Sequence, residues 1–150
     1  MQTWIGYTDV KLVPTYFYVQ RSTDLTTINS TITWDVERTN VGGAMDLTSG
    51  VFTAPQSGVY FFSFSAVSHY PPNSYTGTNE FSLKLNGNEI GRTQSYVDLY
   101  NTNEFKGTSS LQSTLILKSR DVVWIEQVVA TYTYLSDSNE HYTHFTGWLM

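Results

Sequence analysis

Three stretches of this 150-residue chain join aromatic rings to small polar groups. The first, Tyr70-Pro-Pro-Asn-Ser-Tyr-Thr-Gly-Thr-Asn, carries Tyr70, Asn73 and Tyr75. The second, from Arg92 to Lys106, carries Tyr96, Asp98 and Tyr100. The third, from Tyr134 to Tyr142, carries Asp137, Asn139, His141 and Tyr142. Such groups suit a carbohydrate ligand: a ring stacks on the apolar C–H face of a sugar, and planar polar groups pair with its hydroxyls. They suit a protein ligand equally well, and ordinary exposed loops contain the same residue types.

Metal and catalytic chemistry find less. His141 and His144 are three positions apart. On a strand such positions face opposite sides, so they do not converge on zinc without a bend. Glu126, within Trp124-Ile-Glu-Gln, is a candidate buried general base. More often such a residue sits at a strand edge or pairs across an interface. The chain has no cysteine, which removes disulfides, thiolate metal sites and a cysteine nucleophile. It contains no Gly-x-Ser-x-Gly elbow and no phosphate loop. An enzyme is not expected.

The elements that must hold these loops are strands. From Val59 to Ser68 the chain alternates: Tyr60, Phe62, Phe64 and Ala66 point one way, and Val59, Phe61, Ser63, Ser65 and Val67 the other. A period of two gives a strand two distinct faces. The all-apolar face must be buried against a second sheet. Ala54-Pro55-Gln56-Ser57-Gly58 reads as the turn before it, and Asn40-Val41-Gly42-Gly43 as another. Further candidate strands are 16–21, 31–35, 50–53, 80–85, 89–92, 109–117, 122–134 and 143–149, with Asn86-Gly87 as a tight hairpin turn. Residues 95–100 are the best helix candidate, but they lack an amphipathic repeat and read as loop. About nine short strands at this spacing indicate an all-β sandwich or jelly roll.

Composition agrees. One domain of this length can bury a real core. Charged residues make up only 14%, aromatics reach 15% with eleven tyrosines, and Ser plus Thr are about a quarter. The net charge of -5 and the lack of a basic stripe argue against nucleic acid. No apolar run is long enough for a membrane span, and the polar start to Val13 does not read as a signal peptide. Asn29-Ser30-Thr31 is an acceptor triplet for N-glycosylation, compatible with secretion.

The spacing of Trp34, Asn40, Phe52, Gly58, Tyr60, Phe62 and Phe64 resembles the globular head domain of complement component C1q, of the tumour-necrosis-factor-like jelly rolls. The resemblance runs from about residue 16 to 150, leaving residues 1–13 as a lead-in or short stalk and 14–150 as the globular domain. It takes in Phe81-Ser-Leu-Lys-Leu-Asn-Gly-Asn, the hairpin around Leu115–Ile125 and the final Phe145-Thr-Gly-Trp-Leu-Met. Trp34 stands where the family usually has Phe, Met45 where it has an aromatic, and Arg120 where it often has Gly.

The resemblance implies two antiparallel sheets and a compact homotrimer. Apolar residues on both parities of 59–67 and 122–134 support self-association, because they need one partner within the chain and another outside it. Phe61, Trp124 and Tyr132 are the candidates for the threefold contact; the alternative is that they fill the sandwich. Family trimers often hold calcium near the threefold apex, and Asp98, Glu104, Asp137 and Glu140 are the available acids, although Gly107-Thr108 stand where a further acid is usual. No cofactor is required. The resemblance thus implies a secreted, extracellular pattern-recognition or lectin-like head that binds glycans or other repetitive ligands in innate immunity. The alternatives are a trimeric signalling ligand for a cell-surface receptor and a structural or adhesive component of the extracellular matrix.

Overall fold

A computed structural model describes residues 13–72, 76–98 and 103–150. Most of the lead-in, with Asn73, Tyr75 and Tyr100, lies outside the described residues. The strands are β1 (Tyr16–Gln20), β2 (Ser30–Thr31), β3 (Val36–Val41), β4 (Met45–Asp46), β5 (Val51–Thr53) and β6 (Gly58–Tyr70). They continue as β7 (Thr76–Leu85), β8 (Asn88–Asp98), β9 (Phe105–Leu117), β10 (Val122–Thr131), β11 (Tyr134–Leu135) and β12 (His144–Leu149).

All pairings are antiparallel and form two sheets. The first runs β9-β6-β12-β1-β3, with β11 beside β6 beyond the start of β12. The second runs β4-β5-β10-β7-β8, with β2 also on β10. The expected alternation decides the layers. Tyr60, Phe62, Phe64 and Ala66 are fully buried, while Val59 and Phe61 face out from the first sheet. The second sheet answers with Phe52, Phe81, Leu83, Val123 and Ile125.

At the end of the sandwich where β1 begins and β12 finishes, here called the base, the core is aromatic. Phe17 lies 5.0 Å from Phe145 and 5.4 Å from Phe52, and Phe52 lies 5.3 Å from Phe62. Gly147 sits in register between Phe17 and Phe62, and a Cβ there would come within 2.7 Å of both rings. The missing side chain lets the two rings share one row. Trp34 and Met45 are buried as expected, and Trp34 stacks on Phe145 at 5.9 Å.

Besides longer ends on β6 and β9, the strands differ from the sequence reading in four places. First, the expected strand over 31–35 pairs only at Ser30–Thr31, and the chain next pairs over Val36–Val41. Val36-Glu-Arg-Thr-Asn-Val lacks a clean alternation because β3 is a sheet edge with little to bury. Second, Asn40-Val41 closes that strand, and the reversal falls on Gly42-Gly43, both with positive φ. Asn40 ties the reversal by donating to Met45 O at 2.7 Å and accepting from Met45 N at 3.2 Å. Third, β10 stops at Thr131 because Tyr132 is left-handed, with φ 50°, and the chain then crosses to the first sheet as β11. Fourth, residues 95–98 and 76–79 are strand rather than loop. Thr76-Gly77-Thr78-Asn79 has no apolar residue to show a period of two, and in Ser95-Tyr96-Val97-Asp98 the small polar Ser is buried while the large Tyr is exposed. Arg120, at the position where a glycine is often found, has φ 77°.

Candidate functional site

At the opposite end, the apex, β6, β8 and β10 finish while β7, β9 and β12 begin. All the candidate ligand residues that the structure describes collect here, so the fold brings three separate stretches to one rim.

The rim stands on a buried polar network. Tyr70 OH donates to Ser95 O at 2.8 Å and lies 2.5 Å from Ser95 Oγ. Ser95 Oγ bonds Ser68 Oγ at 3.1 Å, Asn79 Nδ2 donates to Ser68 Oγ at 2.9 Å, and Gln127 Nε2 donates to Asn79 Oδ1 at 2.8 Å. Every member of this chain is buried. Tyr70 was expected at a ligand surface, and the structure corrects this. Its ring is wholly enclosed because its parity on β6 continues that of Phe62, Phe64 and Ala66, and its hydroxyl is held by Ser95.

Asp137 is also committed within the protein. Its Oδ1 accepts from the backbone N–H of Ser138 at 2.8 Å and of Tyr142 at 3.0 Å, and its Oδ2 accepts from Thr143 N–H at 2.9 Å. Its own N–H donates to Asp24 Oδ1 at 2.8 Å. A carboxylate with three backbone donors acts as the keystone of its loop. That loop presents exposed Asn139, left-handed His141 and exposed Tyr142. His141 Nδ1 lies 2.7 Å from Arg21 O, and a carbonyl there requires the proton on Nδ1.

The other acids are dispersed. Glu104 approaches His69 at 3.3 Å, and Glu140 accepts from Ser138 Oγ, which holds its carboxyl below the usual range. Asp98 ends β8 on the exposed side. Among the described residues, no three His, Asp or Glu side chains come together as a metal site. His144 lies on the outer face of the first sheet, edge-on to Tyr18 at 5.8 Å, and burial lowers its proton affinity against the opposing pull of Asp137.

Exposed rings punctuate the rim. Tyr96 and Tyr132 stand on the side of the second sheet, Tyr132 with 64% of its surface open. On the side of the first sheet, Phe105 stands over Tyr70 at 6.1 Å, and Lys106 Nζ lies 5.9 Å from the centre of the Tyr142 ring. Phe105 and Lys106 were not singled out from the sequence. They open β9, four residues ahead of the run 109–117 that the sequence marks as a strand.

A second surface lies at the base. On the outer face of the first sheet, register aligns Tyr16, Trp148 and Phe61 across β1, β12 and β6, with Phe61 and Trp148 rings 4.5 Å apart. Val59 and Ile116 form the neighbouring pair, and Ile116 is 83% exposed. A shallow groove beside this row is lined by Tyr16, Tyr18, Thr39, Thr146 and Trp148. The outer face of the second sheet is different. Arg92 bridges Glu80 and Glu89, each at 2.7 Å, and Trp124 is half-buried between Lys84 across the ladder and Glu126, whose carboxylate its indole N–H approaches at 3.5 Å. Phe61, Trp124 and Tyr132 therefore occupy three separate regions: one outer face, the other outer face, and the apical turn.

This architecture, a two-sheet antiparallel sandwich with a loop-bearing rim, defines a jelly-roll-like β-sandwich domain. The profile of the C1q domain family matches residues 16–150, and the chain belongs to that family. It is 31% identical over 137 residues to complement C1q tumor necrosis factor-related protein 3 of Homo sapiens, and equally so to that of Mus musculus. Each match covers 89% of this chain and 50% of the relative, so the chain spans about half the length of the curated relatives it matches. The globular domain of zebrafish complement 1qA protein superposes with a TM-score of 0.62 at 21% identity, covering 91% of this chain and 97% of that one. Among the described residues no helix is long and apolar enough to cross a membrane.

Proposed function

We propose that this chain is a non-catalytic extracellular recognition head. Three copies pack through the outer face of the first sheet and present their apices to a glycan-bearing surface. The observation that carries the reading is the asymmetry of the two outer faces. One holds the contiguous row of Tyr16, Trp148 and Phe61 with Val59 and Ile116, and the other carries the Arg92 ion pairs with Glu80 and Glu89, with Trp124 half-buried and Ile90 and Tyr96 exposed on it. A contiguous exposed apolar patch on a small domain marks an association site. Membership of the C1q domain family supports the same assembly.

At the apex, the exposed rings of Tyr96 and Tyr132 stand on the side of the second sheet and that of Tyr142, near Lys106 and in one loop with Asn139 and His141, on the side of the first, a mixture of rings and polar groups suited to a sugar. A single apex offers little enclosed area, so affinity comes from multivalency: three heads engaging one repetitive surface convert later contacts into intramolecular ones.

Two measurements test the reading in order. Sedimentation equilibrium of the chain at micromolar concentration is expected to give a trimer; a monomer across the range overturns the assembly. A glycan array probed with the assembled protein, with and without calcium and with free-sugar competition, is expected to show competed binding. Silence on every glycan, together with saturable binding to cells that protease treatment abolishes, would replace the lectin reading by that of a receptor ligand. Concentration-dependent network formation would favour a matrix component.

A further inference from the structure

We infer that Asn29 carries an N-linked glycan, which rests on the extracellular reading above. Asn29-Ser30-Thr31 has the acceptor pattern, in which a hydroxyl two residues on assists the asparagine amide. The structure adds three observations. Asn29 is exposed and left-handed, with φ 56°, at the point where the 22–29 loop enters the two-residue strand β2. Its side-chain amide makes no hydrogen bond to the described residues. Asn40, Asn79 and Asn86, in contrast, donate through their amide nitrogens to Met45 O, Ser68 Oγ and Asp121 Oδ1, bonds that a glycan would break. Finally, Asn29 immediately precedes β2, whose Ser30 and Thr31 pair with Gln127 and Glu126 at the edge of the second sheet, while the aromatic row belongs to the outer face of the first. A carbohydrate at Asn29 therefore leaves the self-association face free, and it covers the neighbouring Ile28, which is 53% exposed.

The reaction is a group transfer from a lipid-pyrophosphate-linked oligosaccharide. Asn29 Nδ2 attacks the anomeric carbon, and a C–N bond forms as the C–O bond to phosphate breaks. The lipid pyrophosphate departs and one amide proton is lost. The test is expression of the full chain behind a cleavable secretion leader in a eukaryotic cell, with intact-mass measurement before and after peptide-N-glycosidase. The expected result is a heterogeneous mass increase that the amidase removes, converting the Asn29 amide to a carboxylate. Asn29→Gln and Thr31→Ala abolish the increase, and Thr31→Ser retains it. Secreted chain without the increase overturns the glycan and leaves the extracellular reading standing. Glycan-bearing chain held inside the cell supports the site and counts against that reading.

Discussion

The base and the apex of this sandwich are built on opposite principles. At the base the sheets are joined by rings: Phe17, Phe52, Tyr60, Phe62 and Phe145 touch one another at 5–6 Å separations. At the apex they are joined by the hydrogen-bond chain from Tyr70 through Ser95, Ser68 and Asn79 to Gln127. Apolar burial is non-directional and scales with area, so the base supplies cohesion. Buried hydrogen bonds add less net energy but penalise any misalignment, because an unpaired polar group is costly. The apex thereby gains a fixed platform for loops that have little core of their own. The exteriors follow the same division: the base exposes a contiguous apolar row, and the apex exposes isolated rings among polar groups.

Six substitutions break or sharpen this contrast. Phe62→Ala at the base should cost about 3–5 kcal/mol in a denaturant melt, since it opens a cavity among four neighbouring rings. A loss below ~1 kcal/mol would remove the base from its role as the cohesive half. Trp148→Arg should abolish self-association in ultracentrifugation, whereas Trp124→Arg on the charged face should leave it intact; the reverse ranking would move the contact to the second sheet. Asn79→Ala at the apex leaves Gln127 Nε2 without its acceptor and takes from Ser68 Oγ one of its two donors, the other being Ser95 Oγ. Its cost should be about 1–3 kcal/mol, smaller than at the base.

Arg120→Gly should raise stability by up to ~1 kcal/mol, because a side chain at φ 77° is disfavoured and glycine is not. A lower melting temperature would show that the Arg120 side chain itself stabilises the turn. The smallest effect is with pH. Burial lowers the folded-state affinity of His144 for its proton, against a weaker opposing pull from Asp137. The unfolded chain therefore binds the proton more readily. The stability contributed by neutral His144 is complete above pH ~6.5 and falls as pH drops through the lower folded value. His144→Gln should flatten that part of the melting-temperature profile; an unchanged slope would assign it to another group.

How much of this was legible varies by region, and for a physical reason. The base could be read because large apolar residues at a period of two leave one solution, burial of the apolar parity, and Tyr60 to Ala66 follow it. The apex could not, because Ser, Thr and Asn lie equally well in a loop or in a buried network. Residues 76–79 read as loop for that reason and are strand, as are residues 95–98, where Ser95 is buried and Tyr96 exposed. Tyr70 read as a binding residue because a tyrosine beside two prolines looks exposed, yet its parity, the same as that of Phe64, already pointed inward.

The order of residues alone determined the all-β class, the parity of the central strand, the turn at Asn86-Gly87, and the resemblance that family membership confirms. Only the tertiary structure decided that Phe61 joins Trp148 while Trp124 faces the other way, and that Asp137 holds its loop together rather than facing a ligand. Parity along one strand is a local property. Which sheet a strand joins, and which strands lie beside it in register, depends on contacts between residues far apart in the chain.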